Sequence, residues 1–269
     1  MRVSAGQLLR RALGIRLGVF RQHAPIPLSA LRLPSPPPIP SDAPRIALIT
    51  PSFNQAAFVG RTIDSVLAQN YPGLEYVVQD GGSSDETRAV LAGYPQCGVQ
   101  VVVETDAGQA DAINRGFART SAPIMGWLNS DDMLLPGALA HIARIFVERP
   151  ELDVVYGNRL ILDENDKVIG AWVLPRHDPK VLQFIDYVPQ ETMFWRRRAW
   201  ERVGAAIDTQ YDFAIDWNLI LRFLDAGCRF YHSASFLGAF RHHPAQKTEV
   251  ASASTGRIEK ATLRTPGGT

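Results

Sequence analysis

The sequence contains very little cysteine: Cys97 and Cys228 are the only two among 269 residues. Two cysteines cannot staple a small secreted scaffold, and they predict a reducing compartment. No Cys-x-x-Cys pair or Cys/His cluster suggests a zinc site. No apolar run approaches the roughly 18 residues that a membrane-spanning helix needs. We therefore expect a soluble, cytoplasmic protein.

The sequence also lacks a marked excess of charge of either sign. Lysine and arginine number 28, aspartate and glutamate 27, and the formal net charge is +1. A dedicated nucleic-acid binder needs a surplus of basic side chains on one face, so we expect no nucleic-acid partner. Hydrophobic residues make up 46% of the chain, which is enough for one sizeable core with appendages.

Acidic residues are missing from residues 1–41, which carry six arginines: Arg2, Arg10, Arg11, Arg16, Arg21 and Arg32. Apolar residues near helical spacing predict a basic amphipathic helix: Leu9, Leu13, Leu17 and Phe20. Such a helix either lies on an anionic membrane surface, at the inner face of the membrane, or is poorly ordered or packed on the chain's own core. The proline-rich stretch 33–44 predicts a stiff linker, so residues 1–44 form a separate N-terminal segment.

Between residues 45 and 150, short apolar runs alternate with amphipathic segments. The predicted strands are 45–50, 74–80, 99–104 and 123–129, and the predicted helices are 56–69, 85–94, 108–120 and 136–150. This alternation is typical of βαβ units around a mostly parallel sheet.

The pattern loosens after residue 150. Residues 153–162 and 167–173 predict a hairpin, and residues 216–227 predict a helix. We therefore expect an α/β domain over residues 45–250, with a doubly wound first half and a mixed second half. Residues 251–269 have few apolar side chains and predict a flexible C-terminal tail.

Polar residues follow each of the four predicted strands, in segments 50–55, 80–85, 105–108 and 129–132. One such ending is ordinarily a turn or a helix cap. Ligands of open α/β sheets, however, bind beyond the carboxyl ends of the strands, where these four endings would converge. The cleft would be acidic: Asp80, Asp106, Asp111, Asp131 and Asp132.

Crowded carboxylates repel one another unless a cation compensates them. Mg²⁺ takes one or two protein carboxylates and leaves its other positions to phosphate oxygens and water. We therefore expect a divalent cation that bridges the cleft to a diphosphate ligand. The sequence lacks GxGxxG after the first strand and GxxxxGK[ST] anywhere, which argues against a dinucleotide-binding dehydrogenase and a P-loop NTPase.

Four stretches, in order between about residues 45 and 248, resemble the family 2 glycosyltransferases: "ITPSFNQAAFVGRTIDSVLAQNYPGLEYVVQDGGSSDET", "ETDAGQADAINRGF", "GWLNSDDMLLPGAL" and "DFAIDWNLILRF". The resemblance implies a GT-A fold, with a Rossmann-like nucleotide-binding half and an acceptor-binding half in one domain. It implies inverting transfer of a sugar from a nucleotide-sugar donor, commonly UDP-linked, with Mg²⁺ or Mn²⁺ as cofactor. By family analogy, the acceptor is a saccharide or lipid-linked molecule of surface polysaccharide biosynthesis.

The resemblance also implies roles for individual residues. Together with Asp106 of the acidic cleft, the nucleotide-binding candidates are Pro51, Ser52, Asn54, Asp80 and Asn129. Because Asn129 stands where the family's metal motif has an acid, the metal is expected mainly on Asp131. Asp216 matches the catalytic base, although a carboxylate at a helix start is also a common N-cap.

Five further candidates keep more than one interpretation each. Asp132 contacts the donor, steadies its loop, or caps a helix ahead of Pro136. Arg241 and His243 either close over the diphosphate or are ordinary surface residues of a loop. Gln190 and Glu191 either line the acceptor pocket or form the polar edge of a buried strand.

Two other functions compete with glycosyl transfer. A sugar-nucleotide nucleotidyltransferase needs a glycine-rich loop with Arg or Lys after the first strand, and residues 50–55 have neither. A non-catalytic module that only binds nucleotide sugars is disfavoured because both Asp131 and Asp216 are retained.

Overall fold

The computed structural model describes residues 18–264, and ten strands in this range form one sheet. The strands are β1 (Val19–Pro27), β2 (Ile46–Ser52), β3 (Leu74–Asp80), β4 (Gln100–Val103), β5 (Ile124–Trp127), β6 (Met133–Leu134), β7 (Val154–Leu162), β8 (Lys167–Val173), β9 (Phe194–Arg196) and β10 (Phe230–Arg241).

The helices lie between and after these strands. They are α1 (Val59–Leu67), α2 (Thr87–Leu91), α3 (Gln109–Ala118), α4 (Ala138–Glu148), α5 (Pro179–Leu182), α6 (Arg197–Arg202), α7 (Ile215–Asp225), α8 (Lys247–Ala251) and α9 (Thr255–Leu263). Short 3₁₀ turns occupy Leu28–Ala30, Pro95–Cys97 and Gln190–Thr192. Within residues 18–264, no helix is both long and apolar enough to cross a bilayer.

The sheet has a parallel half and a mixed half. Its strand order is β1-β8-β7-β9-β5-β2-β3-β4, with β10 pairing β7 and β6. Strands β5, β2, β3 and β4 are parallel, as the alternation of the first half predicts. Strands β9, β7, β8 and β1 are joined by antiparallel pairs, which include the predicted hairpin of β7 and β8. The predicted α/β class with a mostly parallel central sheet is confirmed.

Alternation along β2 explains why helices cover both faces of the sheet. Ile46 and Leu48 pack into the core that α1 and α4 close. Ile49 points to the opposite face, into the core that α3 and α7 close. Successive side chains of a strand point to opposite faces, so a strand buried on both sides must be apolar at every position. The chain therefore forms three layers.

The register of the parallel strands brings their polar endings together. Ser52 lies beside Asp80 in the β2–β3 pair, and Asp80 lies beside Val103 in the β3–β4 pair. Ile49 of β2 lies beside Trp127, the last residue of β5. The four polar segments predicted from the sequence thus start at one edge of the sheet.

The N-terminal segment differs from the sequence expectation. The predicted amphipathic helix lies partly on residues 1–17, outside the described residues, and its proposed contact with an anionic membrane stays a prediction. From Val19 to Pro27 the chain is a strand, because its backbone pairs with the edge of β8. The proline-rich stretch is not a free linker in this structure, since Ile39 and Ala43 pack against the core.

The C-terminal residues also differ, because 255–263 form helix α9 and not a flexible tail. Leu263 is buried in the core. Both carboxylate oxygens of Glu259 accept hydrogen bonds from backbone N–H groups before α7. Hydrogen bonds hold this helix against the domain, and the number of apolar residues in the sequence does not predict such bonds.

Close packing of α3 on β2 makes Gly116 a sensitive position. A Cβ at Gly116 would overlap Cγ2 of Ile49, whereas a Cβ at Gly93 would meet only the Val90 carbonyl oxygen, at 3.7 Å. We expect Gly116→Ala to lower the free energy of unfolding by about 1–3 kcal/mol, despite the better helix propensity of alanine.

Gly93→Ala is the matched control, and we expect it to leave the free energy of unfolding unchanged or to raise it by up to about 1 kcal/mol. Urea unfolding followed by circular dichroism measures both values. Equal stability of the two variants would contradict the packing described for α3.

Candidate active site

A cavity of about 1040 Å³ opens at the carboxyl edge of the parallel strands. Nine of the predicted site residues line it: Pro51, Ser52, Asp106, Asn129, Asp131, Asp132, Gln190, Glu191 and Asp216. The first six come from the parallel half and the last three from the mixed half. The cavity is therefore built by both halves of the chain.

Asp131 is the acid at the end of β5 that keeps some contact with solvent. Its side chain is 19% exposed, and its Oδ2 accepts a hydrogen bond from Nε2 of His243, 3.1 Å away. The imidazole is buried and packs against Phe58 in a tilted arrangement, with ring centroids 4.3 Å apart. A carboxylate fixed on one side and open on the other is suited to bind a cation.

Asp132 points inward from the same loop. Its Oδ1 accepts a hydrogen bond from the backbone N–H of Arg241 at 3.1 Å. Burial, the charge of Asp131 and the charge of Glu191 raise the pKa of Asp132 well above its usual range. Helix α4 is preceded by Gly137 and has no side-chain cap, so the cap interpretation of Asp132 is wrong. Its bonds support the interpretation that it steadies the loop.

Arg241 lies behind this loop and has no exposed side-chain surface. Its Nε and one terminal nitrogen contact Oδ1 of Asp166 at 2.9 and 2.6 Å, and its other terminal nitrogen donates to the Asp131 carbonyl. A guanidinium without exposed surface cannot reach a ligand, so the predicted contact of Arg241 with the diphosphate is wrong here. The alternative, that Arg241 and His243 are ordinary surface residues, is also wrong, because both are buried.

The loops after β2 and β3 are tied to each other by polar side chains. Oδ1 of Asp80 accepts hydrogen bonds from the N–H groups of Gly82 and Ser83, and Oδ2 accepts one from the Ser83 hydroxyl at 2.6 Å. Asn54 has a φ of +53°, and its Oδ1 accepts a hydrogen bond from the N–H of Ser84 at 2.9 Å. Neither Asp80 nor Asn54 lines the cavity, and their contacts with a nucleotide stay predictions.

Asp106 lies directly against Gly81. A Cβ on Gly81 would come within 2.7 Å of Oδ2 of Asp106, so only glycine fits there without a shift. Burial, together with the charges of Asp111 and Asp80, raises the pKa of Asp106. Of the five acids of the predicted cleft, Asp106, Asp131 and Asp132 line the cavity, whereas Asp80 and Asp111 do not.

Asn129 is held at the cavity wall by its amide. Its Oδ1 accepts a hydrogen bond from Nε2 of Gln109 at 2.9 Å, and its Nδ2 lies 3.4 Å from Oδ2 of Asp132. Among residues 18–264, no group of three or more His, Cys, Asp or Glu side chains is arranged to hold a metal ion. The donor set still fits Mg²⁺ or Mn²⁺, because such ions need only one or two carboxylates when a diphosphate supplies further oxygens.

Gln190 and Glu191 line the cavity beside the acidic loop, and Nε2 of Gln190 donates to the Trp127 carbonyl at 2.7 Å. They lie in the 3₁₀ turn Gln190–Thr192, so the strand-edge interpretation is wrong. Arg159 donates to both oxygens of Glu191, at 2.8 and 2.6 Å. This guanidinium lies 4.8 Å from the ring centroid of Phe240, and all three side chains line the cavity.

Several buried polar atoms at the cavity wall have no hydrogen-bond partner among the described residues. They are Oγ of Ser52, Nε1 of Trp127, Oε1 of Gln190 and Nε2 of Gln246. A buried donor or acceptor without a partner is costly, and such groups in native proteins usually have a partner.

Asp216 lies in the first turn of α7, but it does not cap the helix. The residue before the helix is Ala214, and Glu259 accepts its N–H at 2.8 Å. The N-cap interpretation of Asp216 is therefore wrong. Burial and the charge of Asp186 raise the pKa of Asp216 to about 7, against a smaller opposing effect of Lys260. A carboxylate with this pKa takes up a proton readily near neutral pH.

Five charged cavity residues were not among the sequence candidates: Arg159, Asp186, Asp212, Lys247 and Lys260. Arg159 could have been recognised as a candidate from the sequence, since it is a charged residue inside a mostly apolar strand segment. The two lysines could not, because they follow the segments that have a recognisable pattern.

The chain matches the family described as glycosyl transferase family 2 over residues 47–204. It is 30% identical over 184 residues to a "PGL/p-HBAD biosynthesis glycosyltransferase" of Mycobacterium bovis, which covers 67% of this chain and 70% of the relative. It is 29% identical over 221 residues to the "O-antigen biosynthesis protein RfbC" of Myxococcus xanthus, which covers 80% of this chain and 17% of the relative.

Two solved structures share the fold. One is TarS 1-349 of S. aureus in complex with UDP-GlcNAc, with a TM-score of 0.65 and 14% identity, covering 81% of this chain and 64% of that one. The other is the mannosyltransferase PcManGT of Pyrobaculum calidifontis in complex with GDP-Man and Mn²⁺, with a TM-score of 0.62 and 19% identity, covering 87% of this chain and 66% of that one.

This chain belongs to glycosyl transferase family 2 and has the GT-A fold. The family resemblance read from the four sequence stretches is confirmed, and so is the conclusion that the protein is a glycosyltransferase. The chain spans slightly less than two thirds of the solved TarS chain.

The buried ion pair of Arg241 with Asp166 predicts an unequal response to two arginine substitutions. Arg61 also contacts Asp166, at 2.9 Å, but its side chain is 36% exposed. We expect Arg241→Met to lower the free energy of unfolding by about 3–5 kcal/mol, because it removes a buried cation from its partners.

For Arg61→Met, the matched control, we expect a loss of at most about 1 kcal/mol, since the pair is partly solvated. Guanidinium chloride unfolding of both variants measures the difference. Similar losses in the two variants would show that Arg241 does not join the halves as described.

Proposed function

We propose that the protein is an inverting glycosyltransferase that transfers a sugar from a UDP-linked donor to a saccharide or lipid-linked acceptor. The observation that carries the proposal is the placement of two different acids on one cavity. Asp131 comes from the parallel half and is held by His243, and Asp216 comes from the mixed half and has a pKa of about 7. Relatives named for PGL/p-HBAD biosynthesis and O-antigen biosynthesis support a role in building surface glycans.

The parallel half is proposed to hold the nucleotide diphosphate. Pro51, Ser52 and Asp106 line this part of the cavity, and Asp80 shapes the loop beside it. A divalent cation held mainly by Asp131, with Asn129 nearby, would neutralise charge on the leaving diphosphate. Asp132 and His243 keep the Asp131 loop in place.

The mixed half is proposed to hold the acceptor. Gln190 presents an unpartnered carbonyl oxygen, and Glu191 is fixed by both of its hydrogen bonds from Arg159. These side chains can orient hydroxyl groups of a sugar, because hydrogen bonds hold them in place before binding.

Asp216 is the proposed general base. In its ionised form, the carboxylate takes the proton of the acceptor hydroxyl while that oxygen bonds to the anomeric carbon. The bond from this carbon to the diphosphate oxygen breaks on the opposite face, so the configuration inverts. The nucleoside diphosphate leaves with its electron pair, and the proton stays on Asp216 until it exchanges with water.

Loss of the Asp131 charge should remove the metal dependence of donor binding. We expect Asp131→Asn to abolish the increase in UDP affinity that Mn²⁺ produces, because an amide binds a divalent cation much more weakly than a carboxylate. Calorimetric titration with UDP, with and without Mn²⁺, measures this. Asp212→Asn removes another carboxylate from the cavity and should keep the increase. An Asp131→Asn variant that retains the full Mn²⁺ effect would disprove the assignment.

Replacement of the base should slow turnover without weakening donor binding. We expect Asp216→Asn to reduce UDP release by at least about 100-fold, the lower range for a general base, while UDP affinity stays near wild type. In the wild-type enzyme, the rate should fall as the pH drops below about 7, because protonated Asp216 cannot accept a proton.

The donor for this assay is the nucleotide sugar that gives the fastest release in a panel of UDP- and GDP-linked sugars. The same assay separates the alternatives, since a nucleotidyltransferase would form pyrophosphate from a triphosphate and a binding module would turn over nothing. An Asp216→Asn variant with most of its turnover would refute the proposed base.

A further inference from the structure

Helix α9 packs against the residues that lead into α7. Oε2 of Glu259 accepts the N–H groups of Phe213 and Ala214 at 2.9 and 2.8 Å, and Oε1 accepts that of Asp212 at 2.9 Å. These three N–H groups lie two to four residues before Asp216. Glu259 therefore fixes the backbone from which Asp216 enters the cavity.

The next residue of the same helix reaches the cavity itself. Nζ of Lys260 lies 2.7 Å from Oδ2 of Asp186, and the two side chains are 29% and 15% exposed. Lys260, Asp186 and Asp216 line the same cavity. Two carboxylates and one ammonium group thus lie on one partly buried wall of the cavity, where charges act on one another more strongly than in water.

We propose that α9 is a positioning element of the active site, in which the Lys260–Asp186 ion pair controls the charge state of Asp216 and Glu259 fixes its place. The inference rests on the proposed role of Asp216 as the base. It gives residues 255–263 a role in positioning the base, and these residues lie outside the region that matches the family.

Other charged groups near this wall already have partners. Lys247 pairs with Asp212 at 2.7 Å, and Glu259 is engaged by backbone N–H groups. Nε of Arg264 donates to the Phe184 carbonyl at 2.9 Å. Asp186 and Lys260 are the charged groups that shift the pKa of Asp216, after the larger effect of burial.

The two members of the pair act on Asp216 with opposite signs. The negative charge of Asp186 raises its pKa, and the positive charge of Lys260 lowers it. Removal of Lys260 therefore favours the protonated acid, and removal of Asp186 favours the ionised base. A pair that only stabilised the fold would lower stability in both variants without moving the pKa of Asp216 in opposite directions.

The test measures the pKa of Asp216 directly in the full-length protein. Aspartate labelled with ¹³C at its carboxyl carbon is followed by NMR from about pH 5 to about pH 9, a range centred on the pKa of about 7. The signal that is missing in Asp216→Asn belongs to Asp216. We expect the pKa to rise by about one unit in Lys260→Met and to fall by about one unit in Asp186→Asn, the size typical of one nearby charge. The acid limb of the pH profile for UDP release should move in the same directions.

Lys260→Arg keeps the positive charge, so the pKa of Asp216 should stay near its wild-type value. Arg257→Met removes an exposed cation from the same helix and should not shift the pKa. Unfolding curves show which variants remain folded. If Lys260→Met does not fold, the pKa of Asp216 in Asp186→Asn is compared with its pKa in Lys260→Arg, and a lower value in Asp186→Asn is the expected result. Opposite shifts support the inference, and absent or parallel shifts overturn it.

The failure of the proposed function would look different. If Asp216→Asn retains turnover, the base is misassigned and the inference falls with it. If Asp216→Asn loses turnover but neither pair variant shifts the pKa of Asp216, the base stands and only the role of α9 is wrong.

Discussion

One buried cation, Arg241, is bonded to both halves of the chain. Arg241, at the end of β10, donates to Asp166 in the turn after β7 and to the Asp131 carbonyl after β5. Its own backbone N–H is bonded to Asp132. A buried guanidinium is stable only when its donors have partners, so these contacts fix the acidic loop against the mixed half. The shape of the cavity follows from that constraint.

The acids of the cavity act differently because their surroundings differ. Asp131 keeps solvent contact and is held by His243, whereas Asp132 is buried and its pKa is raised well above the usual range. Asp216 lies in the other half, with a pKa of about 7. One carboxylate is thereby suited to a cation, one to holding a loop and one to accepting a proton.

Much of the fold and part of the site could be predicted from the sequence. Short apolar runs alternating with amphipathic segments predicted the parallel half, and polar residues at the strand ends predicted Asp131 at the cavity. Arg241 was misassigned because its partner, Asp166, lies in a hairpin turn at φ of +62°, which no pattern links to residue 241. Lys260 was missed because α9 docks through Glu259, and hydrogen bonds between distant residues leave no local signal.

The most direct test of the account is a crystal structure of the protein grown with UDP and Mn²⁺, with the metal located by its anomalous scattering. The account predicts manganese bound by the Asp131 carboxylate and by phosphate oxygens of UDP, with Asp216 across the cavity from the β-phosphate. Manganese bound to UDP without Asp131, or UDP bound outside the cavity, would contradict it.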